Sequence, residues 1–315
     1  MNSLVSIIIP TYNRANLLME ALNSVFNQTY RPIQCIVIDD GSTDNTYEKC
    51  LSFTKSEDPE FSLIYNFQHK QGAQAARNLG TILSKGKYVQ YLDSDDMLYT
   101  SKIELQVDYL EKNINVDAVF GDVNIGTTES HYRNRIYKSE NLISQILSFE
   151  ACIHTLSILY RRNSLFDNQL WDISIKKCQE IDFQIQGLIQ NATYDYLPTL
   201  CGLWRTHDGP RVMSNLNILH LIEFYNKQEC ILSNLGQLNQ DLKNKIANWY
   251  VHFYHCLKSE KIETKVILIK EIIRLNPHIT FYSTKKMQLL RYIFGSNVSV
   301  YIWVRYSDLL NYLKI

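Results

Sequence analysis

The chain has 315 residues, 45% hydrophobic and 20% charged: too long for one small core, and too apolar for a disordered polypeptide. Lys+Arg and Asp+Glu both number 32, so the formal net charge is zero and the basic excess of a nucleic-acid-binding surface is missing. No apolar stretch reaches the ~18 residues of a membrane-spanning helix.

Residues 1–120 alternate strand and helix. Val5–Ile9 reads as a buried strand closed by Pro10. Asn16–Gln28 places Leu17, Leu18, Ala21, Leu22, Val25 and Phe26 on one helical face. A strand Cys35–Ile38 follows, then a helix beginning at Ser42 or Thr43, and a strand through Leu63, Ile64 and Tyr65. Gln74–Leu83 is a helix, Tyr88–Leu92 the fourth strand, Ser101–Asn113 a helix and Ala118–Phe120 a short strand. Such alternation means parallel strands joined by helical crossovers. From about 121 to 215 the pattern loosens to mixed α+β, with a strand at Leu156–Tyr160, a helix at Ile181–Ile189 and a strand at Cys201–Trp204. From about 216 to 315 apolar residues recur at helical spacing. The expected fold class is α/β, with domains at 1–215 (halves 1–120 and 121–215) and a helical subdomain at 216–315.

Seven cysteines, none in a CxxC pattern, fit a reducing cytoplasm better than a disulfide framework. The first residues lack the charged region of a signal peptide and run straight into a strand. A cytoplasmic protein is expected, with peripheral contact at the inner face of the membrane kept open.

Two acidic stretches stand where strands end, Ile38-Asp39-Asp40-Gly41-Ser42 and Tyr91-Leu92-Asp93-Ser94-Asp95-Asp96. Open α/β sheets bind ligands at the carboxyl ends of their strands. Ser42 or Thr43 could be a plain helix cap, but capping does not explain two consecutive carboxylates after a buried strand. Three carboxylates among Asp93–Asp96 repel one another, and a divalent cation with hard oxygen ligands is the natural compensation; a helix entrance is the bland alternative. Tyr12 either packs on the surface or stacks a base. Arg77 either contacts phosphate as a fork or makes a surface ion pair. Gln179-Glu180-Ile181-Asp182 could be ordinary acidic residues in a helical first turn. His207 could be structural or a metal ligand. His252-x-x-His255-Cys256 has ligand spacing, yet no second cluster completes a tetrahedral set, and the aromatic residues around it read as core.

Taken together, Val5-Ser6-Ile7-Ile8-Ile9-Pro10-Thr11-Tyr12-Asn13-Arg14, Ile38–Asp44, Gly72-x4-Arg77-Asn78-x-Gly80 and Tyr91–Asp96 resemble family 2 glycosyltransferases of the GT-A fold. The resemblance is specific over the first 100 residues, weaker through Gln179–Phe183 and Arg205–Ser214, and is not claimed beyond about 215.

It implies a Rossmann-like, mostly parallel central sheet followed by a helical region. It also implies a hexosyl- or N-acetylhexosaminyl-type enzyme using a nucleotide-diphosphate sugar, UDP-linked, with Mn²⁺ or Mg²⁺ and inversion at the anomeric carbon. The acceptor is a saccharide or lipid-linked saccharide, as in polysaccharide or glycoconjugate synthesis. Carried over by position, Pro10 and Tyr12 line the base, Asp40 with Asp39 reads the uracil-like edge, and Arg77 faces the nucleotide. Asp93 and Ser94 lie by the ribose, while Asp93, Asp95 and His207 form the metal set. Glu180 takes the catalytic base's position, where an Asp is commoner, with Asp182 as the alternative. That departure keeps a second reading open, a scaffold that binds a nucleotide sugar without transferring it. A dehydrogenase would need Gly-x-Gly-x-x-Gly after the first strand, and a nucleotidyltransferase a Gly-rich basic loop; neither is present. Lys285–Tyr312 mixes basic and aromatic residues, suiting either a membrane-resting surface or helices that pack on the core or on a second subunit.

Overall fold

The computed structural model describes residues 2–53, 58–126, 131–132, 141–165, 170–205, 217–256 and 262–277. His207 and the Lys285–Tyr312 segment lie outside the described residues, as do the side chains of His255 and Cys256. The chain divides into two compact units, Met1–Pro210 and Arg211–Ile315.

The first unit begins β1 (Val5–Thr11), α1 (Ala15–Phe26), β2 (Ile33–Asp39), α2 (Thr46–Phe53), β3 (Phe61–Phe67), α3 (Ala73–Leu83) and β4 (Tyr88–Tyr91). It continues with β5 (Met97–Leu98), α4 (Lys102–Lys112), β6 (Ala118–Gly126), β7 (His131–Tyr132), α5 (Leu142–Leu147) and β8 (Ile158–Arg161). The short α6 (Arg162–Leu165), α7 (Gln179–Ile189) and β9 (Tyr194–Arg205) complete it. One sheet runs in the order β3-β2-β1-β4-β8-β6-β9-β5, with β7 paired to β6. The strands β3, β2, β1 and β4 are mutually parallel, as the alternating pattern requires. Beyond β4 the sheet is mixed: β8 is antiparallel to both β4 and β6, β9 is parallel to β6, and β5 is antiparallel to β9.

All seven residues of β1 and of β2 are buried, the mark of strands covered on both faces. Leu18, Leu22 and Val25 of α1 close one face against Val5, Ile7 and Ile9. Each such side chain contributes about 1.5–3 kcal/mol by leaving water. On α3, a methyl at Gly80 would overlap the Ile8 side chain, so this glycine lets the helix sit directly on β1.

Pro10 does not close β1; the strand runs on to Thr11. Thr11 accepts from Asp40 N–H on the β2 side, whereas Ile8 accepts from Leu92 N–H on the β4 side, so even-numbered residues face β4. Pro10 therefore lacks its donor only toward β4. The β1–β4 register stops at Ile8↔Tyr91, and the chain after Leu92 leaves the ladder to form the acidic loop.

α2 also starts later than its capping residues suggested, at Thr46. Ser42 and Thr43 instead lock to the β1–α1 turn: Asn13 N–H donates to Ser42 Oγ at 2.9 Å and Thr43 N–H to Asn13 Oδ1 at 2.7 Å. Asp44 does the capping, accepting from Thr46 N–H at 3.2 Å and from Ala15 N–H at 3.1 Å. The second unit contains α8 (Ile218–Asn234), α9 (Gln240–Cys256) and α10 (Ile262–Leu275), packed around Tyr225, Tyr250, Leu268 and Ile272. Asn217 caps α8, and Arg274 forks onto Glu229 at 2.8 and 2.9 Å.

Candidate active site

The carboxyl ends of β1, β2 and β4 bring the sequence motifs together. Asp39 accepts from Ser42 N–H and from the Tyr65 hydroxyl, both at 2.7 Å. Asp40, 5% exposed, accepts from Gln68 Nε2 and Gln71 N–H at 2.7 Å through one oxygen, and from Gly72 N–H at 2.9 Å through the other. Both aspartates thus shape the loops around the β2 end, and Asp40 fixes the entrance to α3. Gly41, at φ +87, brings this turn against the Lys70 backbone. Tyr12 is 37% exposed, with Lys70 Nζ 3.7 Å from its ring centroid. Pro10 is buried within β1.

Arg77 sits deeper than a nucleotide contact on the surface would, at 6% exposure. Its Nη2 donates to Asp93 at 2.6 Å, its Nη1 to Gln179 Oε1 at 3.4 Å, and its guanidinium lies 4.4 Å over the Trp171 ring. It therefore ties β4's loop to the first turn of α7. Asn78 clamps Trp171 by its backbone, donating to the carbonyl at 2.9 Å and accepting from the N–H at 2.8 Å. Gln74 holds the Ile175 carbonyl. Trp171 stacks on Phe183 of α7 at 4.4 Å and 7°, with Tyr91 edge-on at 5.1 Å. The α3 motif fixes the segment that delivers Glu180.

In the acidic loop, Asp95 pairs with Arg14 at 2.7 Å and Asp93 with Arg77. Asp96 is buried and accepts from Arg205 N–H at 3.1 Å; burial, then the nearby charges of Asp93 and Asp95, push its carboxyl well up. Arg205 also holds the Asp95 carbonyl and Glu20. Ser94 is buried within the loop. Carboxylate oxygens of Asp93 and Asp95 are the hard donors Mg²⁺ or Mn²⁺ takes, and a dication would offset the repulsion among these neighbouring carboxylates. The donor set fits. Among the described residues no three His, Cys, Asp or Glu side chains converge on one cation position, and the expected third ligand, His207, lies outside them.

Glu180 and Asp182 occupy the first turn of α7, after Cys178 at φ 55. Burial raises the Glu180 carboxyl above its ordinary value; its own backbone N–H and Arg77 oppose the rise, and Asp93 adds to it. Asp182 is 2% exposed, against half-burial for Glu180. Of the two, Glu180 is the one solvent reaches.

Sequence reasoning gave no role to Arg14 or Phe183, though both stand in its motifs, and missed Lys70 and Trp171. Arg14 closes the first motif and Lys70 stands two residues before Gly72, but neither spacing says which acid or ring it meets.

The family profile Glycosyl transferase family 2 matches residues 6–168. An uncharacterized glycosyltransferase of Rickettsia typhi is 30% identical over 334 residues, covering 96% of each chain. One from Rickettsia felis is 44% identical over 109 residues, which are 35% of this chain and 17% of that longer one. Among solved structures, S. aureus TarS 1–349 in complex with UDP-GlcNAc superposes with a TM-score of 0.64 at 18% identity, over 98% of this chain and 89% of that one. A mannosyltransferase from Pyrobaculum calidifontis in complex with GDP-Man and Mn²⁺ gives 0.55 at 14% identity, over 99% and 88%. These two likenesses show the α/β GT-A fold, and the motifs, profile match and full-length relative together place the chain in glycosyltransferase family 2.

Proposed function

We propose that the protein moves a sugar from a nucleoside-diphosphate donor, UDP-linked, to an acceptor hydroxyl by a single displacement that inverts the anomeric carbon. The observation that carries this reading is Glu180, a carboxyl made more basic by burial, joined through Arg77 and Gln179 to the Asp93 loop. A base of raised pKa can take the acceptor's proton as that oxygen attacks C1 from the face opposite the leaving diphosphate. Tyr12 is the platform for the base, Asp39 and Asp40 shape its pocket, and Asp93 with Asp95 would hold Mn²⁺ or Mg²⁺. A bound cation supplies charge stabilisation on the departing phosphate. Hexosyl or N-acetylhexosaminyl transfer into a polysaccharide or glycoconjugate, with a saccharide or lipid-linked acceptor, is the matching role.

The test is a thermal-shift panel of UDP-, GDP-, dTDP- and CMP-linked sugars, each with Mn²⁺ and with EDTA. Ligands that bind the native state raise the midpoint. A shift from the UDP class that EDTA abolishes supports the reading; no shift from any class defeats it. Where a donor binds, NMR of the released sugar reports the anomeric configuration, and retention would rule out single displacement. A donor that binds and is neither transferred nor hydrolysed would leave the scaffold reading.

A further inference from the structure

The chain between α5 and β8 forms a strap, Cys152–Ser157, across the space between α7 and β9. Gln184, one turn beyond Glu180, donates to the Ile153 carbonyl at 2.8 Å. Residues four apart share a helix face, so Glu180 looks onto the same strap. From the other side Gln90 of β4 donates to the carbonyls of Thr155 and Leu156 at 3.1 and 3.3 Å. Between these anchors the His154 imidazole lies 4.7 Å from the Trp204 indole at 41°, and Cys152 Sγ is 3.7 Å from His154 Nε2. Trp204 immediately precedes Arg205, which grips the Asp95 and Asp96 backbone and carboxyl. The ring pair is bracketed by the Glu180 helix and the acidic loop.

Cys152, His154, Glu180 and Trp204 all stay half-buried. Yet burial lowers His154 to about 4, and burial and then the Glu180 charge raise Cys152 to about 12. Trp204 meets the strap at His154, and Glu180 lies one turn before Gln184, which bonds the strap, so two partly exposed groups flank it. The other rings packed behind Glu180 are sealed, Trp171 at 4% and Phe183 at 1% exposure. A pyranose has a face of C–H groups that packs on an aromatic ring while its hydroxyls stay hydrogen-bonded, and pockets of this composition suit such ligands.

We infer that Trp204, backed by His154, is the platform on which the acceptor's pyranose ring lies, turning a hydroxyl toward Glu180. This assignment rests on the transfer reading above for its direction. His154, packed at a tilt against the indole, is a positioning residue for it.

Saturation-transfer NMR with a panel of methyl hexopyranosides and methyl N-acetylhexosaminides tests it on the full chain. Ring C–H protons of at least one glycoside should receive saturation from the wild type. Trp204→Leu should weaken that glycoside about tenfold, and Trp204→Phe should keep most of the affinity. The Trp204 indole N–H resonance, assigned by its loss in Trp204→Phe, should move on titration, which decides the matter even if Trp204→Leu does not fold. No saturation transfer to any glycoside, an unmoved indole signal, or undiminished binding by folded Trp204→Leu would each overturn the platform. Calorimetry with UDP-glucose, UDP-GlcNAc and GDP-mannose is the second arm. Equal losses of donor and glycoside affinity in Trp204→Leu would assign the rings to the donor sugar and overturn the acceptor role. Glycoside binding without any nucleotide-sugar binding would sink the transfer reading while leaving the pyranose platform; the reverse pattern would sink the platform alone.

Discussion

The carboxylates at the end of β2 and the carboxylate at the head of α7 are held in opposite ways. Asp39 and Asp40 spend their oxygens on five donors, four from neighbouring loops and the Tyr65 hydroxyl of β3. Glu180 is instead dominated by burial, which favours its protonated form. An aspartate saturated by internal donors builds a pocket; a half-buried carboxyl that burial leaves more basic is poised to take a proton. Acidic residues at ligand-binding ends of a sheet are therefore not interchangeable, and their neighbours' donors tell the two uses apart.

The contrast breaks most sharply at Glu180. Glu180→Gln should lower transfer by about 10²- to 10⁴-fold, measured with saturating donor, while donor affinity by calorimetry holds. Because the base acts deprotonated and burial raises its pKa, the wild-type kcat/KM should fall with decreasing pH at values above those of an ordinary glutamate. Unchanged turnover in Glu180→Gln would hand the role to Asp182.

Asp40 should fail differently. Asp40→Ala strands Gln68 Nε2 and the Gln71 and Gly72 N–H groups, a loss of about 3 kcal/mol in stability. Thermal denaturation should show a drop of roughly 6–12 °C before any ligand is added. A drop as small as that of an exposed-site control would mean Asp40 does not shape the α3 entrance.

The sheet's parallel half was legible because buried β-branched runs and amphipathic helices alternate there without interruption. The parts that were not legible share one cause: partners distant in sequence. Pro10 marks a strand end by rule, but only the β4 neighbour decides which of its sides lacks a donor. Ser42 and Thr43 have the chemistry of caps and are recruited by Asn13 instead. The site motifs were readable as residue types. What Arg77 does was not, because Trp171, 94 residues on, has no local pattern that points to a guanidinium. Of the strap Cys152–Ser157 only Leu156 and Ser157 fell within an expected element, the strand Leu156–Tyr160, and they form a turn before the strand Ile158–Arg161.

A smaller effect tests the floor beneath both regions. Lys102 is fully buried at the start of α4, bonded to Gln90, whose amide in turn holds Tyr91, Thr155 and Leu156. Burial lowers its pKa from 10.5 to about 7. Above about 7 the folded chain holds this amine neutral while the unfolded chain still binds its proton. Stability should therefore rise with pH from about 7 toward 10.5, by at most about 1.4 kcal/mol per unit. Below 7 both states are protonated and this contribution is flat. Urea denaturation at pH 6, 7 and 8 should show the upward slope beginning near the middle value, and Lys102→Met should remove it. An unaltered slope in Lys102→Met would assign it elsewhere.

Tyr12 and Lys70 give the smallest and most discriminating effect, because they sharpen what "saturated" means on the nucleotide side. Lys70 already covers one Tyr12 face at 3.7 Å, so a stacked base must use the other face or displace the ammonium. If the faces are shared, Lys70→Ala removes a cation–π contact and weakens nucleotide affinity by about 0.5–1 kcal/mol, several-fold in Kd. If the base must displace it, the same substitution frees the ring and tightens binding by a similar factor. Tyr12→Leu should cost about 1–3 kcal/mol of nucleotide affinity in both arrangements. Calorimetry with UDP on the three proteins reads the sign directly: weaker binding by Lys70→Ala makes the lysine part of the base pocket, and tighter binding makes it a placeholder that the base evicts.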